Sequence, residues 1–537
     1  MQRSIFTALF VAAVLSIAAW SADTPSHTCK LVHPGPDGKL VYEAYTDKGD
    51  RIPNFSNCGY KGGGVELPTA EVKATVAPTD GDDAANIQAA IDKVSKLPVG
   101  RDGLRGAVLL KKGKYEIADS IVIAASGVVL RGEGQDEDGT VLVATAKKKG
   151  TLIKVAGEGK PVETEGSRRP IADDYVPIGA RSFMVDNASG FKVGQNVIVL
   201  RPSTSEWIHE LGMDRIRQNS AKNVVQWTPG SKDLAFDRTI TAVKGNQITI
   251  DAPIVNAIQK EYGGGFVYRY DFPGRISNVG VENLRGVSEY DASKKKGSAF
   301  VDEAHSWDCI TINAAENAWV RNVTSVSFAY SCVTIQKTAK WVTVQDCSCL
   351  DPVSQITGGR RYSFGIAGQL SLVKGCFSRK ARHDFVMHAN VPGPNVFVDC
   401  KATNSYSTSE PHHRYSVGVL YDNVTIQGNG YLQAINRGNS GSGHGWSGAQ
   451  IVFWNCGAPV IIVQKPPMAQ NFIIGFRGTF RDSGLARGAV QWANGQSGSK
   501  LKLDSACVGD GHIESPDAPV EPRSLYESQL SERLGSK

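Results

Sequence analysis

Seven short segments between residues 279 and 458 share one pattern, and it limits the fold more than any other feature of the chain. VGVENLRG (279–286), WVRNVTS (319–325), VTVQDCSC (342–349), LVKGCFS (372–378), VFVDCKA (396–402), LYDNVTI (420–426) and VFWNCGA (452–458) align on Asn283, Asn322, Asp346, Gly375, Asp399, Asn423 and Asn455. Successive gaps are 39, 24, 29, 24, 24 and 32 residues. Asn, Asp and Gly are the residues that tolerate a sharp bend. An apolar residue or a cysteine follows each bend, as a buried position would require. The pattern describes a solenoid with one coil per repeat. Neighbouring coils then lie about 4.8 Å apart, so residues some two dozen positions apart in sequence become direct neighbours.

The rest of the chain divides around these coils. Residues 1–21 read as a signal peptide: Arg3 supplies the positive start, Ile5 to Trp20 is apolar, and Ala19-Trp20-Ser21 fits a small-x-small cleavage site. That apolar run is too short for a stable membrane span. The expectation is a secreted or periplasmic protein with no membrane partner once the signal is removed. Residues 22–78 form an N-terminal extension. Residues 79–155 start the coils behind a capping helix, with Asp82 or Asp83 before Ile87, Ala90, Ile91 and Val94 at helical spacing. Residues 156–275 break the coil rhythm with hairpin-like strands and form an inserted β-subdomain, either a cleft wall or a buttress. Residues 276–514 hold the coils with the candidate site. Residues 515–537 are a Pro-rich link and a C-terminal helix suited to capping the open end of the stack.

Charge and cysteine usage exclude several classes. The net charge is +6 over 537 residues, with no long Lys/Arg stripe of the kind a nucleic-acid binder concentrates. Of the ten cysteines, Cys347, Cys376, Cys400 and Cys456 fall one per repeat and read as stacked core residues. Cys29 and Cys58 lie outside the repeats and are the candidate disulfide pair. No Cys/His spacing typical of zinc appears, and no carboxylate cluster suited to calcium stands out, so no metal or other cofactor is expected.

The stretch TDGDDAANIQAAIDKVSKL (79–97), followed by KGKYEI and VVLRGEG, resembles the start of the pectate-lyase-like right-handed parallel β-helix superfamily. The stretch RHDFVMHANVPGPNVFVDCKATNS, with EPHHRYSVGVLYDNV and NRGNSGSGHGW, is similar to one found in exported bacterial pectate-lyase-like proteins. The resemblance implies an all-β fold and an exported protein. That fold hosts lyases, hydrolases and non-enzymatic adhesins, so chemistry has to be argued from the site.

Between Arg360 and Trp446 lie nine Lys/Arg, four Asp/Glu and five of the ten histidines. Such a run points to a cationic cleft for an extended acidic polysaccharide. Uronate polymers break by β-elimination, which needs a base, a cation at the carboxylate and an acid for the leaving oxygen. Arg382 and Arg414 are the candidate carboxylate clamps, because the guanidinium fork binds bidentately. His383 and His413 are base or acid candidates, Arg437 and His444 complete the site, and Tyr415 is a further acid candidate. Arg360, Arg361, His412, Asn436 and Trp446 are substrate-binding candidates. His388, His209 and His305 read as structural.

Two alternatives remain. A hydrolase would need paired carboxylates, for which Asp384, Glu410 and Asp422 are available. Gly443-His444-Gly445 matches a short polygalacturonase motif, without the NTD and Asp-Asp motifs that accompany it in that family. A non-catalytic carbohydrate-binding β-helix would show bland, similar loops, whereas these loops differ.

Overall fold

The computed structural model describes residues 26–220, 222–480 and 511–535. Its main body is a parallel β-helix whose strands stack into three faces. On the first face, Gly280, Trp319, Thr343, Leu372, Val396, Leu420, Val452 and Phe472 follow one another in register. The second runs from Thr140–Ala144 through Ser348–Leu350 to Lys401–Ser405. The third runs through Asp308–Asn313, Ser331–Ile335, Tyr362–Ile366, His383–Met387, Thr408–Pro411 and Tyr431–Ala434.

All seven aligned bend residues are left-handed, with φ between +50° and +63°. Gly475 adds an eighth, at +69°. Most side chains are strained in that region, which accounts for Asn, Asp and Gly at every bend. The bend side chains also bond between coils: Asn322 Nδ2 donates to Asn283 Oδ1 at 2.9 Å. At Gly375 a Cβ would stand 2.6 Å from Asp346 Oδ1, so the coil below requires a glycine there.

Inside the coils, Val344, Val373, Phe397, Tyr421 and Phe453 form one continuous core. The rings of Phe397, Tyr421 and Phe453 stack at 5.1 and 4.9 Å. Each such buried apolar side chain contributes about 1.5–3 kcal/mol. Cys347, Cys376, Cys400 and Cys456 line this core as free thiols. The expected Cys29–Cys58 disulfide does not form. Both thiols are free and buried; Cys29 Sγ points at Glu514 Oε2, 3.6 Å away in the last coil, and Cys58 lies under Tyr526, whose hydroxyl bonds its carbonyl.

The helix Ala84–Ser95 covers the first coil with Ile87, Ile91 and Val94. That coil begins earlier than expected, because Val72–Val76 already pairs in parallel with Gly106–Leu110. The C-terminal helix Leu525–Leu534 does not cap the stack. It lies on the flank, where Asp422 accepts from Ser524 and Tyr526, and Lys374 pairs with Glu527. Its Gln529 and Arg533 bond the N-terminal segment at Pro53, Phe55 and Ser56, so that segment and this helix clasp the same outer face. The expected signal peptide lies outside the described residues.

The insertion forms an antiparallel sheet centred on Asn196–Arg201, Leu234–Lys244, Gln247–Ile250 and Phe266–Asp271. Its apolar core, including Trp207, Trp227, Phe236 and Val267, continues into Tyr415, Val417, Trp446 and Ala449 of the solenoid. Beside this contact, Asp237 of the insertion binds Lys340 at 2.8 Å and Arg275 at 2.9 Å. The insertion is thus fixed onto the coils that carry the histidines. No described helix is long and apolar enough to cross a membrane.

Candidate active site

The third face gathers a polar cluster around Glu410, which is fully buried. Register places Glu410 beside Val386 in the preceding coil, and Gln433 Nε2 of the following coil donates to Oε2. Oε1 accepts from His412 Nδ1 at 2.6 Å and from Arg437 Nη1 at 2.7 Å. The short contact with a carboxylate assigns the His412 proton to Nδ1. Nε2 is then an acceptor, and Tyr362 Oη lies 2.9 Å from it. Tyr362, His412 and Glu410 form a phenol–imidazole–carboxylate chain across three coils. The Tyr362 ring is held by stacking on Tyr330 at 5.0 Å and by the edge of His383 at 4.6 Å.

Four other imidazoles surround this chain. His413 and His444 pack at 4.9 Å, with His444 5.3 Å from His412. His388 lies along Tyr362 at 6.0 Å. It fits there because Gly365 below has no side chain: a Cβ would stand 2.5 Å from His388 Nε2. Burial pushes His388 down to about 4. Burial, with Arg414 and Arg437, takes His413 to about 3; burial, with Arg437 and His413, takes His444 to about 2. Burial also holds His383 and His412 well below the ordinary histidine value. The imidazoles are therefore neutral near pH 7, and the positive charge of the site comes from its arginines.

Those arginines differ in availability. Arg437 is committed to Glu410 and the His412 carbonyl. Arg382 bonds the Gly358 carbonyl, and its charge acts on the Tyr362 hydroxyl, opposing the burial that raises it. Arg414 donates to Ser442 Oγ at 2.8 Å. Among the described residues, neither Arg382 nor Arg414 has a carboxylate partner. Arg360 is taken up by Glu303, and Arg361 is buried, with its donors on the Ser354, Phe300 and Lys380 carbonyls. Neither is placed to bind substrate as expected.

Four further expectations need correction. Tyr415 and Trp446 are fully buried and face the insertion. Tyr415 meets Trp207 edge-on at 4.9 Å, and Trp446 Nε1 bonds the Leu211 carbonyl at 3.3 Å. Asn436 is likewise enclosed, its Oδ1 accepting from Gly438 N. His383 is wholly enclosed too, with Nδ1 on the Thr408 carbonyl at 2.7 Å, so it backs Tyr362 and cannot meet a substrate. Tyr362 and His412 keep 5% and 6% of their surfaces open. Tyr362 is the central group that sequence alone does not assign, and Glu410, a hydrolase candidate in the sequence, stands here as the partner of His412 and Arg437. His305 is structural, held by Ser288 and Val353; His209 pairs at the surface with Asp214.

The three hydrolase carboxylates do not converge. Asp384 lies with Ser378 and Ser405, where burial raises it to about 6. Asp422 holds the C-terminal helix and is raised by burial to about 7. Only Glu410 stands in the cluster. His383, Glu410 and His412 are also close enough to share a metal ion. However, Arg437 Nη1 lies 2.7 Å from Glu410 Oε1 and 2.9 Å from His412 Nδ1, so a guanidinium already supplies the cation at that point.

No family model and no curated protein matches the chain. Among solved structures, it is similar to the tailspike gp49 of Pseudomonas phage LKA1 (14% identity, TM-score 0.44, covering 74% of this chain and 57% of that one). It is also similar to DFA-IIIase from Arthrobacter chlorophenolicus A6 (11%, TM-score 0.38, 82% and 92%). A third similar structure is PfbA, a surface adhesin of Streptococcus pneumoniae (11%, TM-score 0.33, 77% and 76%). The chain spans 57% of the LKA1 tailspike and 62% of the tailspike gp61 of Pseudomonas phage phi297.

Proposed function

We propose that the chain is an exported, carbohydrate-active enzyme that cleaves a uronic-acid polysaccharide by β-elimination, with Tyr362 as the proton-transfer group. The observation that carries this is the chain Tyr362 Oη to His412 Nε2 (2.9 Å) and His412 Nδ1 to Glu410 Oε1 (2.6 Å). A neutral imidazole with its proton committed to Glu410 presents a lone pair to the phenol. As the C5–H bond of the uronate breaks, its proton passes to the Tyr362 oxygen and the phenolic proton moves to His412. The electron pair forms the C4=C5 double bond while the C4–O bond breaks. The leaving oxygen takes its proton from the phenol, and the proton held on His412 returns to Tyr362. No water is consumed. Arg382, beside Tyr362 and without a carboxylate partner, is the group assigned to neutralise the substrate carboxylate. A hydrolase acting here would have Glu410 alone and no second carboxylate.

The test is an activity screen on the purified chain with pectate, alginate, glucuronan, ulvan and glycosaminoglycans, with and without chelator. The expected result is ultraviolet absorbance from an unsaturated uronate that persists in chelator. New reducing ends without that absorbance would overturn the elimination chemistry. Loss of absorbance in chelator would overturn the role given to Arg437 as resident cation.

A further inference from the structure

The inserted subdomain does more than buttress the coils at this point. Register aligns Ile335, Ile366, Met387 and Pro411 in four successive coils. Lys337 and Arg414 therefore occupy the same turn, three coil steps or about 14 Å apart at the usual strand spacing. Between them the turn carries Gly368, packed so closely on the coil below that a Cβ would stand 2.5 Å from the Ala339 carbonyl, then Ala389 and Asn390, whose Nδ2 donates to the Asp233 carbonyl of the insertion at 3.0 Å. That bond holds the neighbouring Lys232 beside this turn, its Nζ donating to the Ser231 carbonyl at 3.0 Å.

The same wall is rigid. Lys232 Nζ sits 5.3 Å over the Trp227 ring, and Trp227 packs edge-on against Tyr415 at 6.2 Å. Arg414 and Tyr415 are consecutive non-glycine residues in the left-handed region, at φ 59° and 67°. Such backbone persists only where the surroundings enforce it. Here the buried Tyr415 ring does so, together with backbone bonds from Arg414 N to the His444 carbonyl and from Tyr415 N to the Trp446 carbonyl. Arg414 is thereby aimed away from the insertion core toward Ser442, whose carbonyl is tied to Val225 N. Burial, Arg414 and Lys337 together lower Lys232, as expected for three cations on one wall. Among the described residues, none of the three has a carboxylate partner.

We infer that Lys337, Lys232 and Arg414 form a second anion-binding subsite, a rail parallel to the solenoid axis that holds carboxylate or sulfate groups on sugars adjoining the one cleaved. The inference rests on the proposed polyanionic substrate, but not on the elimination chemistry. It is tested by titrating the full chain, carrying Tyr362→Phe to prevent turnover, with polygalacturonate, heparin and neutral dextran. Lys232→Met and Lys337→Met are each expected to weaken polyanion binding about three- to five-fold, as for a solvent-facing charge pair. Their combination should flatten the salt dependence. Lys401→Met, on a different face, serves as the control, and thermal melts establish that each variant is folded. Weakening for polygalacturonate alone identifies carboxylate as the group held, and for heparin alone, sulfate. Equal affinities in parent and variants, or no polyanion binding by the parent, overturn the inference. Rail-dependent binding by a wild-type chain that yields no unsaturated product would leave the rail standing and remove the lyase.

Discussion

Tyr362 Oη and His412 Nε2 lie 2.9 Å apart although 50 residues separate them, because their side chains reach toward each other across the one coil, His383–Met387, that lies between theirs. Replacing Tyr362 by Phe keeps the ring and its stacking on Tyr330 and removes only the hydroxyl. The expected outcome is a fall in kcat of about 10²- to 10⁴-fold, the usual worth of a positioned proton-transfer group. The melting temperature should hold within a few degrees. Full activity in Tyr362→Phe would remove the residue from the mechanism.

Glu410→Gln should act differently. It leaves Arg437 buried beside a neutral amide and frees the His412 tautomer. Removing one partner of a buried pair costs about 3–5 kcal/mol. Both the melting temperature and kcat should drop, and the Glu410→Gln/Arg437→Met pair should recover stability without recovering turnover. Thermal melts and rates measured side by side distinguish the two effects.

Gly365→Ala is a test by steric displacement. The new methyl would meet the His388 ring at 2.5 Å, and this neighbour is a side chain that can swing aside. The protein should fold and lose activity if His388 must lie along Tyr362. Unchanged kcat and KM would make His388 dispensable.

The histidine cluster fixes a pH dependence. His388, His413 and His444 have folded-state values of about 4, 3 and 2, below the ordinary unfolded value of about 6.5. Between those limits the unfolded chain binds more protons, so their contribution to stability is complete above about pH 6.5 and is lost as pH falls toward 4 and below. Asp384 and Asp422 run the other way, since burial raises them to about 6 and 7. Their contribution is complete below the ordinary carboxylate value and is lost as pH rises. Histidine ring resonances should show no titration of His388, His413 or His444 between pH 8 and 5. Relative to wild type, His388→Gln should lose less stability between pH 6.5 and 4.

The bends were legible in sequence because a left-handed backbone leaves a chemical trace: only a few residue types accept it, and Asn283 through Asn455 are all of those types. The histidine run was legible because one stretch of chain carries most of it. The pairing of Tyr362 with His412 was not, since Tyr362 sits in an apolar strand next to Arg361 and its partner is two coils away. Sequence groups Glu410 with Asp384 and Asp422, because composition does not reveal which carboxylates face one cleft. Tyr415 and Trp446 read as site residues for a related reason. The insertion core that encloses them is some two hundred residues earlier in the chain, and an aromatic residue beside histidines reads alike whether it lines a groove or fills an interface.

Asp237 offers a test of the docking between insertion and coils. Burial raises it, but Lys340 and Arg275 prevail and hold it at about 2. Its contribution is therefore complete above about pH 4 and lost as pH falls toward 2. Asp237→Asn would strand Lys340, which is 1% exposed, and should cost about 3–5 kcal/mol. Limited proteolysis should then cut first at the insertion, and adding Lys340→Met should restore part of the resistance.

The bends at Gly375, Asp399 and Asn423 are each 24 residues apart, and each returns the chain to the same corner. Distances along this molecule are consequently counted in whole rungs. A chain lacking residues 376–399 would join one bend to the equivalent position of the next, and could stack again with its corner intact. Tyr362 would then stand one rung from His412, and the pair would overshoot. Length can change here only in integer steps, and the reacting constellation is tuned to one integer.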